Sequence, residues 1–336
     1  MTEPFTELSI LGAWRRLETR DNQEVKETFN SASVMNFATA KRSRWRLTAL
    51  LWGCVLVAMT ASAQTSINVA WTLVWSDEFN QPDGSAPDPA KWTYDLGAGG
   101  WGNNEPEYYT SRTNNVRIEN GHLIIEAQRE SYHGSDYTSA RLKTQGKASW
   151  IYGRFEARMK VPRGQGMWPA FWMLGTNIPT APWPNCGEID IMENIGKKEL
   201  ALVHGTVHGP GYAGPGGIHE QYSLPDGGAY ADDFHVYAVE WSTNQIKWFV
   251  DGHEYFSVTP ASLPKDAKWV FTQPQFILLN LAVGGNWPGY PDGTTTFPQR
   301  LTVDYVRVYA PSKVAAGAES ALANPGVPGT IRRGVD

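Results

Sequence analysis

Phe155-Glu-Ala-Arg-Met-Lys-Val161 alternates apolar and charged residues without a break. A period of two belongs to a strand, with Phe155, Ala157, Met159 and Val161 on one face and Glu156, Arg158 and Lys160 on the other. Outward from it the same grammar recurs. His122-Leu-Ile-Ile-Glu-Ala127 follows the turn pair Asn120-Gly121. Residues 236–241 and 246–250 flank Ser242-Thr-Asn-Gln245 as a hairpin, and Asp251-Gly252 turns the chain into His253-Glu-Tyr-Phe-Ser257. Residues 301–309 form a last strand. No amphipathic helix of several turns interrupts these patterns. Many short strands with Gly and Pro turns in one domain predict an all-β fold, a β-jelly-roll sandwich of two antiparallel sheets.

The organisation reads in three parts. Residues 1–63 are a leader: Lys41, Arg42, Arg44 and Arg46 precede an apolar run over 47–60, then Ala61-Ser62-Ala63. Basic, apolar and small-residue segments in that order make a secretory signal peptide, with Met35 as the expected start. The run is short for a membrane span. Residues 65–310 form one domain, and 311–336, rich in Ala, Gly and Pro, a disordered tail. The expected molecule is a secreted monomer that is not held at a membrane once the signal is cleaved. A formal charge of -5 without a basic stripe argues against nucleic acid. Of two Cys, Cys54 lies in the signal, leaving Cys186 without an internal partner. Carboxylates beside Cys186 oppose a thiolate, so it reads as a small buried hydrophobe. The 15 Trp admit two readings, a large β core and a sugar-binding cleft.

Gly187-Glu-Ile-Asp-Ile-Met-Glu193 carries the chemistry. On a strand Glu188 and Asp190 face one way, and Ile189 and Ile191 the other. Glu193 lies five positions past Glu188, so strict alternation turns it away. One extra residue at Ile191-Met192, a β-bulge, brings it back. Three adjacent acids cannot all ionise cheaply, so one retains a proton. A retaining glycosidase uses that asymmetry: one carboxylate attacks and a protonated partner donates, about 5–5.5 Å apart. Same-face positions with a bulge between them can give roughly that spacing. On spacing alone, a solvated strand face and a calcium site stay open beside catalysis.

The flanking motifs resemble the family 16 glycoside hydrolases, endo-β-1,3-glucanases (laminarinases) in particular. They are Gly166-Met-Trp-Pro-Ala-Phe-Trp-Met-Leu-Gly175, Trp183-Pro-Asn-Cys-Gly-Glu-Ile-Asp-Ile-Met-Glu193, Trp75-Ser-Asp-Glu-Phe-Asn80, Gly205-Thr-Val-His208, Asn280-Leu-Ala-Val-Gly-Gly-Asn286 and Asp304-Tyr-Val-Arg-Val-Tyr309. The resemblance runs from about Trp71 to Tyr309. It implies a concave-face substrate cleft, Glu188 as nucleophile, Asp190 as assisting carboxylate and Glu193 as acid/base, without a catalytic cofactor. It places Asn103, Glu105, Arg141, Trp168, Trp172, Trp183, His208 and Gln273 at substrate. It implies a structural calcium ion on Glu78, Gly121 and Asp304. Where the family often has Leu-Gln after Asn-Asn-Glu, this chain has Pro106-Glu107, a departure at the outer subsites. The implied activity is hydrolysis of internal β-1,3-glucosidic bonds in β-glucan polysaccharide. Mixed-linkage β-1,3/1,4-glucan hydrolysis, transglycosylation and non-catalytic glucan binding are the alternatives.

Overall fold

The computed structural model describes residues 70–196 and 199–312. The signal segment and the tail beyond Ser312 lie outside the described residues. Among these, the strands in chain order are β1 (Trp71–Asp77), β2 (Thr93–Asp95), β3 (Glu107–Tyr109), β4 (Val116–Glu119), β5 (His122–Tyr132), β6 (Ser135–Ser139), β7 (Arg141–Lys143), β8 (Gly153–Lys160), β9 (Met167–Gly175), β10 (Glu188–Glu193), β11 (Leu202–His208), β12 (Ile218–Ser223), β13 (His235–Ser242), β14 (Gln245–Val250), β15 (His253–Val258), β16 (Gln275–Val283) and β17 (Gln299–Pro311). No helix among them is long and apolar enough to cross a membrane.

The strands form two sheets, a β-jelly-roll sandwich. The ten-stranded sheet runs β15-β14-β13-β8-β17-β5-β6-β3, with β1 on β17 and β4 on β5. The seven-stranded sheet runs β12-β11-β10-β9-β16-β7-β2. Pairing is antiparallel except at β3 and β6, three residues paired in parallel through Glu107↔Tyr137, Tyr108↔Thr138 and Tyr109↔Ser139. The turn pairs act as their residues dictate. Asn120 and Gly121 have φ of 53° and 73°, Asp251 and Gly252 of 49° and 81°. Two successive left-handed residues make the tight hairpin turn whose twist matches the strands.

Alternation fixes what each strand buries. Phe155, Ala157 and Met159 of β8 are fully buried in the core, with Val161 just beyond the strand. Glu156 on the outer face is also covered, because Arg154 and the Tyr309 hydroxyl both bond its carboxylate. The tryptophans divide between the interior and the surface. Trp92, Trp241 and Trp248 are in the core at 2% exposure or less, while Trp168, Trp172 and Trp183 retain contact with solvent. Strand β16 is buried throughout and pairs with β9 at the centre of the smaller sheet, and β9 in turn pairs with β10. The acidic strand thus sits inside its sheet, held on both sides.

Candidate active site

The register of β10 shows the inferred bulge. Against β9, Asp190 pairs with Trp172, Met192 with Phe171 and Glu193 with Ala170, so Ile191 is the extra residue. Against β11, Glu188 pairs with His208, Asp190 with Thr206 and Glu193 with His204. Ile191 and Met192 both enter the core. An indole from the opposite sheet supports the bulge: Trp248 Nε1 on β14 donates to the Asp190 carbonyl at 2.8 Å. A bulge disrupts the ladder locally, and this buried donor satisfies the carbonyl there.

The three acids differ in access and partners. Asp190 is shut in at 2% exposure, whereas the Glu188 side chain keeps 16% and Glu193 9%. Only the two glutamates therefore have an opening toward a substrate. Trp183 Nε1 donates to Glu188 Oε2 at 2.7 Å, and Trp168 Nε1 donates to Glu193 Oε1 at 2.9 Å. Each glutamate has one oxygen engaged by an indole. His208 Nε2 stands 3.3 Å from Asp190 Oδ2 and 4.0 Å from Glu188 Oε1.

Burial and mutual repulsion raise all three carboxyls. Burial pushes Glu188 up to about 8, helped by the Asp190 charge, with His208 and the Trp183 N–H opposing. Burial likewise brings Glu193 to about 7, with His208 and the Trp168 N–H pulling down. Asp190 is raised well above its ordinary value by burial and then by Glu193. The cluster therefore holds protons near neutrality, and these ionisations belong to the group as a whole.

A second network lies on the β16 side. Trp172 Nε1 donates to Asn280 Oδ1 at 2.7 Å, and Asn280 Nδ2 donates to the Tyr109 hydroxyl at 3.3 Å. Tyr109 donates to Glu105 Oε2 at 3.1 Å, and Asn103 Nδ2 to Glu105 Oε1 at 3.0 Å. Arg141 pairs with Asp95 at 3.0 Å and lies over the rings of Trp101 and Trp172. Asn103, Glu105, Arg141 and Trp172 thus form one connected patch beside the acids. Gln273 is exposed in the loop ahead of β16 and takes no part in this network. Glu107, where Leu-Gln gives way to Pro-Glu, is wholly buried and accepts the Val283 N–H at 3.1 Å.

Two residues at the site escaped the sequence reading. Trp287, 38% exposed, meets the Trp168 ring edge-on at 5.5 Å between centroids. It arrives on a loop that crowds Trp168: Gly285 has φ of 129°, and a Cβ there meets Asn103 O at 3.2 Å. Asn286 N donates to that same Asn103 carbonyl at 2.9 Å. His204 packs against Trp287 at 4.8 Å. Strand parity could have found it, since His204 lies four residues before His208 on β11.

Among the described residues, the group of His, Cys, Asp and Glu able to share one metal ion is Glu188, Asp190 and His208, with one ligand atom each, all within 4.8 Å of one another. Glu78, Gly121 and Asp304 are arranged otherwise. Arg307 Nε and Nη2 donate to Glu78 at 2.9 and 2.7 Å, and Arg158 Nη1 to Asp304 at 2.8 Å. Guanidinium groups thus engage the side chains of both carboxylates. Cys186 is fully buried, and burial followed by the Glu188 charge holds its thiol up.

Comparison with known proteins agrees with this geometry. The chain is 46% identical over 271 residues to a beta-glucanase from Rhodothermus marinus, covering 78% of this chain and 92% of that protein. The X-ray structure of endo-beta-1,3-glucanase from Pyrococcus furiosus superposes with a TM-score of 0.68 at 50% identity, covering 72% of this chain and 95% of that one. The X-ray structure of the laminarinase from Rhodothermus marinus gives 0.68 at 47% identity, covering 73% and 100%. The profile of the Glycosyl hydrolases family 16 matches residues 103–307. That match spans more than half of the sequence and contains β10, its bulge and the indoles around it, and the chain belongs to this family.

Proposed function

We propose that the protein is a retaining endo-glycosidase that cleaves internal β-1,3-glucosidic bonds of β-glucans. The observation that carries this is the bulged strand β10, which holds Glu188, Asp190 and Glu193 together between β9 and β11, each glutamate bonded by an indole donor. The substrate class follows the relatives described above.

The chemistry runs in two displacements. Glu188, ionised, attacks the anomeric carbon while Glu193 gives its proton to the glycosidic oxygen, and that C–O bond breaks. Water then enters, Glu193 takes a proton from it, its oxygen bonds to the anomeric carbon, and Glu188 leaves. Two inversions retain configuration. Trp168 occupies Glu193 Oε1 as a donor, so the transferable proton sits on Oε2. Asp190, shut in beside Glu188, takes up the proton that Glu188 must shed before it attacks. The patch of Asn103, Glu105, Arg141 and Trp172, with Trp183 and His208 on the other flank, orients the sugar rings, and the exposed Gln273 is proposed as a further contact.

Glu188→Gln keeps shape and removes the nucleophile. It should lower kcat on laminarin by about a thousandfold or more with the thermal melt unchanged. Near wild-type release of reducing ends by this variant would refute the assignment. A panel of laminarin, barley glucan and lichenan reads the linkage preference, and NMR of the first product reads the anomeric configuration.

The protein is further proposed to be secreted as a monomer after cleavage behind Ala63, which N-terminal sequencing and sedimentation of the exported protein test. Calcium is proposed as a stabiliser only, at Glu78, Gly121 and Asp304, where it must first displace Arg307 and Arg158.

A further inference from the structure

We propose that His204 is a positioning residue for the acid/base, acting through two tryptophans. This rests on the assignment of Glu193 as acid/base. The path is continuous. Glu199 Oε2 lies 2.6 Å from His204 Nε2. The His204 ring meets Trp287 at 4.8 Å and 75°, a T-shaped contact. Trp287 meets Trp168 at 5.5 Å and 88°. Trp168 Nε1 then donates to Glu193 Oε1 at 2.9 Å.

Each contact restrains the next ring. T-shaped aromatic pairs set both separation and tilt. Trp168 has its own strand behind it, but its indole also needs a lateral stop to keep the N–H on Oε1. Trp287 is that stop, and it comes from a loop with 38% of its surface exposed. Something firmer must hold it. His204 is such a support: it is 7% exposed, lies on β11 directly opposite Glu193, and is fixed by Glu199. Glu199 is anchored in turn, since Asn194 Nδ2 donates to the carbonyls of Glu199 and Leu202 at 3.1 and 2.7 Å. Asn194 directly follows Glu193, so the side chain that anchors Glu199 belongs to the neighbour of the acid/base. Burial lowers the His204 pKa, keeping a neutral ring against Trp287.

The consequence is specific to proton donation. A loosened Trp168 leaves Glu193 free to swing and to carry its proton on either oxygen. Bonds with a poor leaving group then suffer, while bonds whose leaving group needs no proton do not. The test compares kcat/KM on laminarin and on a 2,4-dinitrophenyl β-laminarioligoside. His204→Ala should lose about tenfold on laminarin and stay within about twofold on the aryl glycoside. His204→Phe retains the ring contact and should recover most of the loss. Glu199→Ala, at a more exposed position, should lose about threefold on laminarin with the same leaving-group dependence, and covers the case in which His204→Ala does not fold. Equal losses on both substrates, or no loss in either alanine variant, overturn the proposal. Glu193→Gln is the control. If it shows no leaving-group dependence, the acid/base assignment itself fails. If it does and the His204 and Glu199 variants do not, only the positioning role fails.

Discussion

Trp183 donates its indole N–H to Glu188 at 2.7 Å while 46% of its own surface faces solvent. A tryptophan so exposed, with its one polar atom spent on a carboxylate, holds an anion in place and leaves its face for a ligand. That N–H favours the charged form of Glu188, against the burial that raises it.

Trp183→Phe removes the donor and keeps an aromatic face. The Glu188 pKa then rises further, and the nucleophile is ionised only at higher pH. Activity is lost as pH falls through the nucleophile's ionisation, so the acid limb of the kcat/KM profile should move upward. A loss of about tenfold at neutral pH is expected, since a hydrogen bond to a charged group is worth roughly 1.5–3 kcal/mol. A pH–rate series on laminarin reads both effects, and an unmoved acid limb would separate Trp183 from Glu188.

Glu107→Gln should stabilise the fold. Burial and the neighbouring Glu105 charge raise the Glu107 carboxyl well above its ordinary 4.5. The unfolded chain releases that proton near 4.5, whereas the folded chain keeps it to far higher pH. Above 4.5 the unfolded state therefore gains, and stability falls as pH rises toward the folded value. Gln still accepts from the Val283 N–H and donates to Glu105, with nothing to ionise. The variant should match the wild type near pH 4 and exceed it at pH 7–8, each kcal/mol being worth roughly 2–4 °C in Tm. Melts across that range decide it, and a difference independent of pH would exclude ionisation as the cause.

Trp248→Phe probes the bulge from behind. The ring volume is largely kept, but the Asp190 carbonyl loses its donor in the core. A buried acceptor left unsatisfied costs about 1–3 kcal/mol. Urea melts should show that loss, and kcat should fall with it because Asp190 sits between the two glutamates. Loss of stability with unchanged kcat would mean that the ladder alone maintains the bulge.

Calcium and arginine compete for Glu78 in the proposed stabilising site. Arg307→Gln frees the carboxylate, so added calcium should raise the Tm of this variant more than that of the wild type. Saturation at a hundred times Kd is worth about 2.7 kcal/mol. Melts in calcium and in EDTA measure this, and no response in either protein would remove the ion from the account.

What was legible from the sequence was whatever repeats along the chain. The alternation over 155–161, the Asn-Gly and Asp-Gly turns and the parity of Glu188, Asp190 and Glu193 each gave a local rule, and β8, the hairpins and the bulge follow those rules. Trp287 obeys no rule of spacing. It reaches Trp168 because β16 lies beside β9, a non-local fact that the residues around position 287 do not contain. The arginine partners of Glu78 and Asp304 were illegible for the same reason: Arg307 is 229 positions from Glu78, and Arg158 is 146 from Asp304.

The bulge in β10 has a consequence for the interior as well. Without Ile191 the strand would read Glu-Ile-Asp-Met-Glu, and ordinary pleating would still turn all three acids outward. The extra residue is therefore dispensable for their direction. What it adds lies inward: two successive side chains, Ile191 and Met192, are both sunk in the core where a regular strand could send only one. Burying that second apolar side chain is worth about 1.5–3 kcal/mol. A one-residue deletion here would leave the chemistry facing the substrate and thin the packing directly beneath it, so the irregularity serves as ballast under the reactive strand.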